Sequence, residues 1–210
     1  LIRERFQALD RAFSSRPHRL HYAIKANSTT AVVRELRHLG ARADANSGGE
    51  IEVALRAGFS PDQIVFTGVG KTGAELDLAI ALNLGAINVE SSGEMARIVS
   101  RAEAHGTRVR VAVRINPDVD AGSHPHISTG LLDTKFGMTI DAAASLIRTM
   151  ARHPNLVVVG LHVHVGSQGT TTEPLARGAS AIAHLARTLA AEGIALEHLD
   201  LGGGLGVAYE

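Results

Sequence analysis

Apolar, β-branched runs recur along the chain around residues 22–25, 41–45, 64–67, 86–89, 109–115, 157–165 and 199–201, with polar and helix-patterned stretches between them. Short apolar runs bounded by turn residues predict buried strands, and strands alternating with helices predict βα units on a parallel sheet. The residues ahead of the first run, 2–13, predict a helix. Three junctions pair a hydroxyl with a glutamate three residues on: Ser47 with Glu50, Thr72 with Glu75 and Ser91 with Glu94. Each predicts a capping box opening a helix. The helices that follow carry apolar residues at helical spacing, as with Ile51, Ala54 and Leu55 closed by Gly58, or Leu76, Ile80 and Leu84 before Gly85.

Seven such units of about twenty to thirty residues favour an α/β fold of the (β/α)8 TIM-like barrel type over a doubly wound sheet. A closed barrel of that type takes eight strands. Residues 1–210 are therefore expected to form one partial barrel domain inside a larger protein, with at least one βα unit lying elsewhere. Residues 116–130 break the rhythm with a long polar segment, and long irregular loops in compact domains are usually functional.

Composition narrows the classes. The 210 residues carry 21 basic and 21 acidic side chains and 45% hydrophobic residues. That is enough apolar material for a substantial core, without the basic stripe that nucleic-acid binding requires. No apolar run approaches a membrane span. Cysteine is absent, which excludes disulfides and thiolate chemistry and fits a cytoplasmic setting.

Candidate chemistry begins at Lys25, which follows the first apolar run. There are only three lysines (Lys25, Lys71, Lys135) among 21 basic residues, so each resists a role that arginine could fill. A lysine amine in a desolvated or cationic setting is a nucleophile toward carbonyls, including that of pyridoxal phosphate. A solvated surface lysine is the bland alternative. The last apolar run enters glycines at Gly202, Gly203, Gly204 and Gly206, where backbone amides can converge on an anion. Neither the dinucleotide fingerprint nor the P-loop fits their spacing. His162 and His164, two apart in an expected strand, share a face there. They suit either a hydrogen-bonded core or, with Asp44, Asp133, His124 or His126, a zinc site. Asp44 closes the second run, Glu50 follows six residues later with a capping role available to it, and Arg114 nearly closes the fifth.

In chain order, the segments 22–27, 47–50, 68–71, 88–91, 114–117, 124–130, 135–137, 162–168 and 201–204 resemble the alanine-racemase-like class of pyridoxal-phosphate-dependent decarboxylases. Segment 118–130 and Gln168 resemble its diaminopimelate branch. The resemblance implies decarboxylation of meso-2,6-diaminopimelate to L-lysine and carbon dioxide with pyridoxal 5'-phosphate as cofactor, an amino-acid substrate and a homodimer. Lys25 is implied to bind the cofactor as an imine, and His164 to stack on its ring. Ser167, Gly202, Gly203 and Gly204 are implied to hold its phosphate. Asp44, Glu50 and Arg114 are implied to order charge around it, with His162 and Lys135 as supports and no chemistry for Lys71. The acidic partner of the pyridine nitrogen and a C-terminal β-domain are implied to lie outside this chain, which is then inactive alone. His126 departs from the class, which usually carries tyrosine there. A related decarboxylase of ornithine or arginine, and a metal-dependent barrel hydrolase using His162 and His164, are the alternatives.

Overall fold

The structure, a computed structural model, describes residues 1–117 and 136–207. The expectations for His124, His126, Asp133, Lys135 and the segment 118–130 therefore fall outside the described residues. Two compact units make up the chain, Leu1–Ile87 and Asn88–Glu210.

In the first unit, helix α1 (Ile2–Phe13) precedes β1 (His21–Ala23), α2 (Thr30–His38), β2 (Arg42–Ala45), α3 (Gly48–Ala57), β3 (Ile64–Phe66) and α4 (Gly73–Ala81). Strand β4 (Ala86–Val89) starts here and runs across the unit boundary. All pairings are parallel: β1 on β2, β2 on β3, and β3 on the first residues of β4. The apolar runs form strands because parallel strands covered on both faces want continuous hydrophobic stretches. Every residue of β3 is buried, and Ile24, Ile51, Ile64, Phe66, Leu76 and Ile87 are core side chains with at most 1% of their surface exposed.

In the second unit, α5 (Ser92–Ala104) is followed by β5 (Val109–Ile115), α6 (Ile140–Met150), β6 (Leu156–Val163), α7 (Glu173–Ala191) and β7 (His198–Asp200). Here β5 pairs with β6 and β6 with β7, again in parallel. The register aligns Arg114 with His162 and His162 with Asp200. Register partners share a face of the sheet, so these three polar side chains form one row.

The expected helix at 2–13 and all seven strands are present, with ends trimmed by one or two residues at several places. Three local expectations need correction. Of these three junctions, only Thr72 with Glu75 makes a reciprocal capping box. At Ser47 and Ser91 the hydroxyl accepts from the third helical amide, but Glu50 and Glu94 reach past the cap to the amides of Asn46 and Glu90, each at 2.8 Å. Backbone rotation is the reason: the two serines sit at φ −157°, Thr72 at φ −71°, and φ aims the cap's own N–H. Gly58 closes α3 at φ +97° as expected, whereas α4 ends through Asn83 at φ +54° rather than through Gly85. A Cβ on Gly85 would collide with the Asp62 carbonyl oxygen, so glycine is there for close packing.

Candidate functional site

Lys25 lies outside β1, which stops at Ala23. It occupies the middle of a 3₁₀ turn, Ile24–Ala26. The turn forms because Ile24 is drawn fully into the core, the Asn27 amide donates to the Ile24 carbonyl at 3.1 Å, and Tyr22 Oη clamps the Asn27 carbonyl at 3.0 Å. Lys25 is thereby turned outward and exposed. Burial keeps the Tyr22 phenol above its ordinary pKa, against the opposing pull of the Asn27 bond. The Lys25 turn packs on β2 and α3, the elements that carry Asp44 and Glu50.

Asp44 accepts from the Thr67 hydroxyl. Glu50 spends Oε2 on the Asn46 amide at 2.8 Å, and its Oε1 has no hydrogen-bond partner among the described residues. Its cap therefore leaves half of the carboxylate available for another role. Lys71, for which no chemistry is expected, is held in a structural setting. It is 3% exposed, its Nζ donates to the Gly68 carbonyl at 2.7 Å, and it lies 5.4 Å from the Phe66 ring centroid.

The second unit assembles the remaining residues. His162 is buried in β6, but His164 falls beyond the strand's end at Val163, so the two histidines are not a same-face strand pair. His164 Nδ1 accepts from the Gly203 amide at 3.2 Å, which places the proton of the neutral ring on Nε2. No cluster of three metal-ligating side chains occurs among the described residues.

Ser167 and the glycine segment are brought side by side. Gly169 donates to the Gly204 carbonyl at 2.8 Å, Gly206 to the Gly169 carbonyl at 2.9 Å, and Val207 to Gln168 Oε1 at 3.2 Å. Two glycines are required by this clamp. Gly202 and Gly204 have φ +70° and +94°, and a Cβ would collide with the Val163 carbonyl oxygen at the first and with the Gly166 carbonyl oxygen at the second. Gly203 instead faces open space, and Ser167 is exposed, so an anion has room to approach. Two of the three amides expected to bind phosphate are donated within the chain, Gly202 to Asp200 Oδ1 at 2.8 Å and Gly203 to His164. An anion binding there exchanges with those acceptors or uses the Gly204 amide and the Ser167 hydroxyl.

Arg114 is 7% exposed and donates from Nη1 to Glu90 Oε1 at 2.7 Å, with Glu90 8% exposed. The Phe136 ring centroid lies 5.5 Å from its Cζ. Glu90 was not among the candidates read from the sequence. The available signal was Asn88 and Glu90 alternating as polar residues through and just past a run that is otherwise apolar, both of them buried.

Residues 1–210 match the family described as "Pyridoxal-dependent decarboxylase, pyridoxal binding domain". The diaminopimelate decarboxylase of Vibrio cholerae is 45% identical over 99% of this chain and 50% of its own length. That of Pseudomonas aeruginosa is 42% identical over 99% of this chain and 50% of its own. A crystal structure of Helicobacter pylori diaminopimelate decarboxylase complexed with L-lysine superimposes with TM-score 0.94 at 41% identity, covering all of this chain and 53% of the other. The chain thus spans about half the length of the curated relatives it matches, and the α/β fold class of the incomplete (β/α)8 type expected from its pattern is borne out.

Proposed function

Because the chain belongs to the pyridoxal-dependent decarboxylases through their pyridoxal-binding domain, we propose that it binds pyridoxal 5'-phosphate and serves the decarboxylation of meso-2,6-diaminopimelate to L-lysine and carbon dioxide. The observation that carries the cofactor half is the clamp between residues 166–169 and 202–207, which brings exposed Ser167 beside glycines with open space at Gly203. The substrate half rests on the likeness to diaminopimelate decarboxylases at 42–45% identity.

Bound pyridoxal phosphate supplies an electron sink for the carbanion left when carbon dioxide departs. In this reading the outward-facing Lys25 amine would hold the cofactor covalently. Ser167, Gly202, Gly203 and Gly204 take the phosphate, and His164 lies against the ring with its Nδ1 tied to the backbone. Asp44, Arg114 and the uncommitted oxygen of Glu50 arrange charge at the ring and lysine. Residues 1–210 act as a partial cofactor-binding barrel domain in this reading. A homodimer of the full-length protein completes it, tested by sedimentation, and a cytoplasmic setting agrees with the cysteine-free composition and is tested by fractionation.

Mixing the protein with pyridoxal phosphate should produce the absorbance of covalently bound cofactor, and Lys25→Ala should abolish it. An unchanged spectrum in that variant refutes the lysine assignment. Carbon dioxide release by the full-length protein from a panel of amino acids should be largest with diaminopimelate; preference for ornithine or arginine overturns the substrate.

A further inference from the structure

Arg114 and Glu90 form an ion pair in the second unit that is more than nine-tenths buried on both sides. Such a pair is a poor device for stability, since the desolvation of two charges offsets most of their attraction and apolar replacements often serve as well. Its geometry points elsewhere. The guanidinium is a rigid fork of five N–H donors, so fixing one nitrogen fixes the direction of the others. Glu90 fixes Nη1 at 2.7 Å, the Phe136 ring stands 5.5 Å from Cζ, and Gly137 packs so closely that a Cβ would lie 3.1 Å from Arg114 Cγ. Two buried polar atoms remain without a partner among the described residues, Arg114 Nε and Glu90 Oε2. Buried polar atoms are seldom left so unless something else completes them.

We propose that Glu90 is a positioning residue that holds Arg114 in one pose for hydrogen bonding to the bound cofactor, and that it cancels the guanidinium's charge so that Arg114 acts as an oriented donor rather than a free cation. This rests on the cofactor reading above, in which Arg114 faces the ring substituents. His162, aligned with Arg114 across β5 and β6, is the neighbouring polar side chain that would compete for the guanidinium if Glu90 were lost.

The test is a titration of cofactor-free protein with pyridoxal phosphate, read by the absorbance of bound cofactor, with a melting curve for each variant. Glu90→Gln should weaken binding roughly tenfold to a hundredfold, the range for losing one charge-assisted hydrogen bond. Arg114→Gln should lose a similar amount, the double variant no more than the weaker single one, and Glu90→Asp should fall between wild type and Glu90→Gln. Removing both charges keeps a lone buried charge out of the experiment should Glu90→Gln fail to fold. A double variant that binds as Arg114→Gln does then supports the proposal. Glu90→Gln binding within twofold of wild type while only its melting point falls overturns the proposal, as do losses that multiply in the double variant. Wild type that fails to bind the cofactor overturns the earlier reading as well, so the two failures are distinguishable.

Discussion

Replacing Glu75 by alanine should destabilise the first unit by more than its half-exposed position suggests. One oxygen accepts from the Thr72 amide at 2.9 Å and hydroxyl at 2.8 Å, and the other from the Gly48 amide at 2.9 Å. A single carboxylate therefore serves the starts of two helices, α3 and α4. Each lost cap bond to a helix-start amide costs about 1 kcal/mol, and the charge adds about 0.5 kcal/mol against two helix dipoles. Water replaces part of this at a partly exposed site, leaving roughly 2 kcal/mol, or a drop of about 4–8 °C in melting point for a chain of this size. Urea denaturation at neutral pH measures it. Glu75→Gln separates charge from hydrogen bonding and should lose about half as much. The carboxyl titrates below its ordinary value, chiefly through the Gly48 amide and then the Thr72 amide. A depressed pKa stabilises above the unfolded value near 4.5, and the contribution is lost as pH falls through the lower folded value. The gap between wild type and Glu75→Gln should therefore close under acid conditions. An alanine variant losing less than about 0.5 kcal/mol, or a gap that persists through acid, refutes the shared-cap reasoning.

His18 should titrate above its ordinary value, first because its ring bonds the Arg16 carbonyl and second because of Asp10. Its contribution to stability is present below pH 6.5 and lost as pH rises through the raised value, and in an NMR titration Asp10→Asn should return the midpoint only part of the way. Gly204→Ala, whose Cβ would meet the Gly166 carbonyl oxygen, should separate the clamped segments, lower the melting point and weaken cofactor binding at least tenfold; tight binding in that variant would detach the clamp from the cofactor. Phe66→Ala, emptying a fully buried site, should cost about 3–5 kcal/mol by chemical denaturation.

The amino-acid sequence by itself determined what depends on near neighbours. Apolar runs and their spacing set the alternation of strands and helices, and hydroxyls three residues ahead of glutamates marked where α3, α4 and α5 begin. The ordered segments likewise pointed to the pyridoxal-dependent family, because each is a short string of adjacent residues that keeps its place along the chain. What only the tertiary structure decided were the partners met far along the chain. Glu75 reaching Gly48 spans 27 residues and Glu90 reaching Arg114 spans 24, and strand register, which no local pattern contains, creates such meetings. The same holds at Lys25. Its sequence position suggested a strand end, but the core claimed Ile24, and that single burial curled the backbone into a turn and faced the lysine outward. Local chemistry selects the elements; burial and register then choose which polar atoms are brought together.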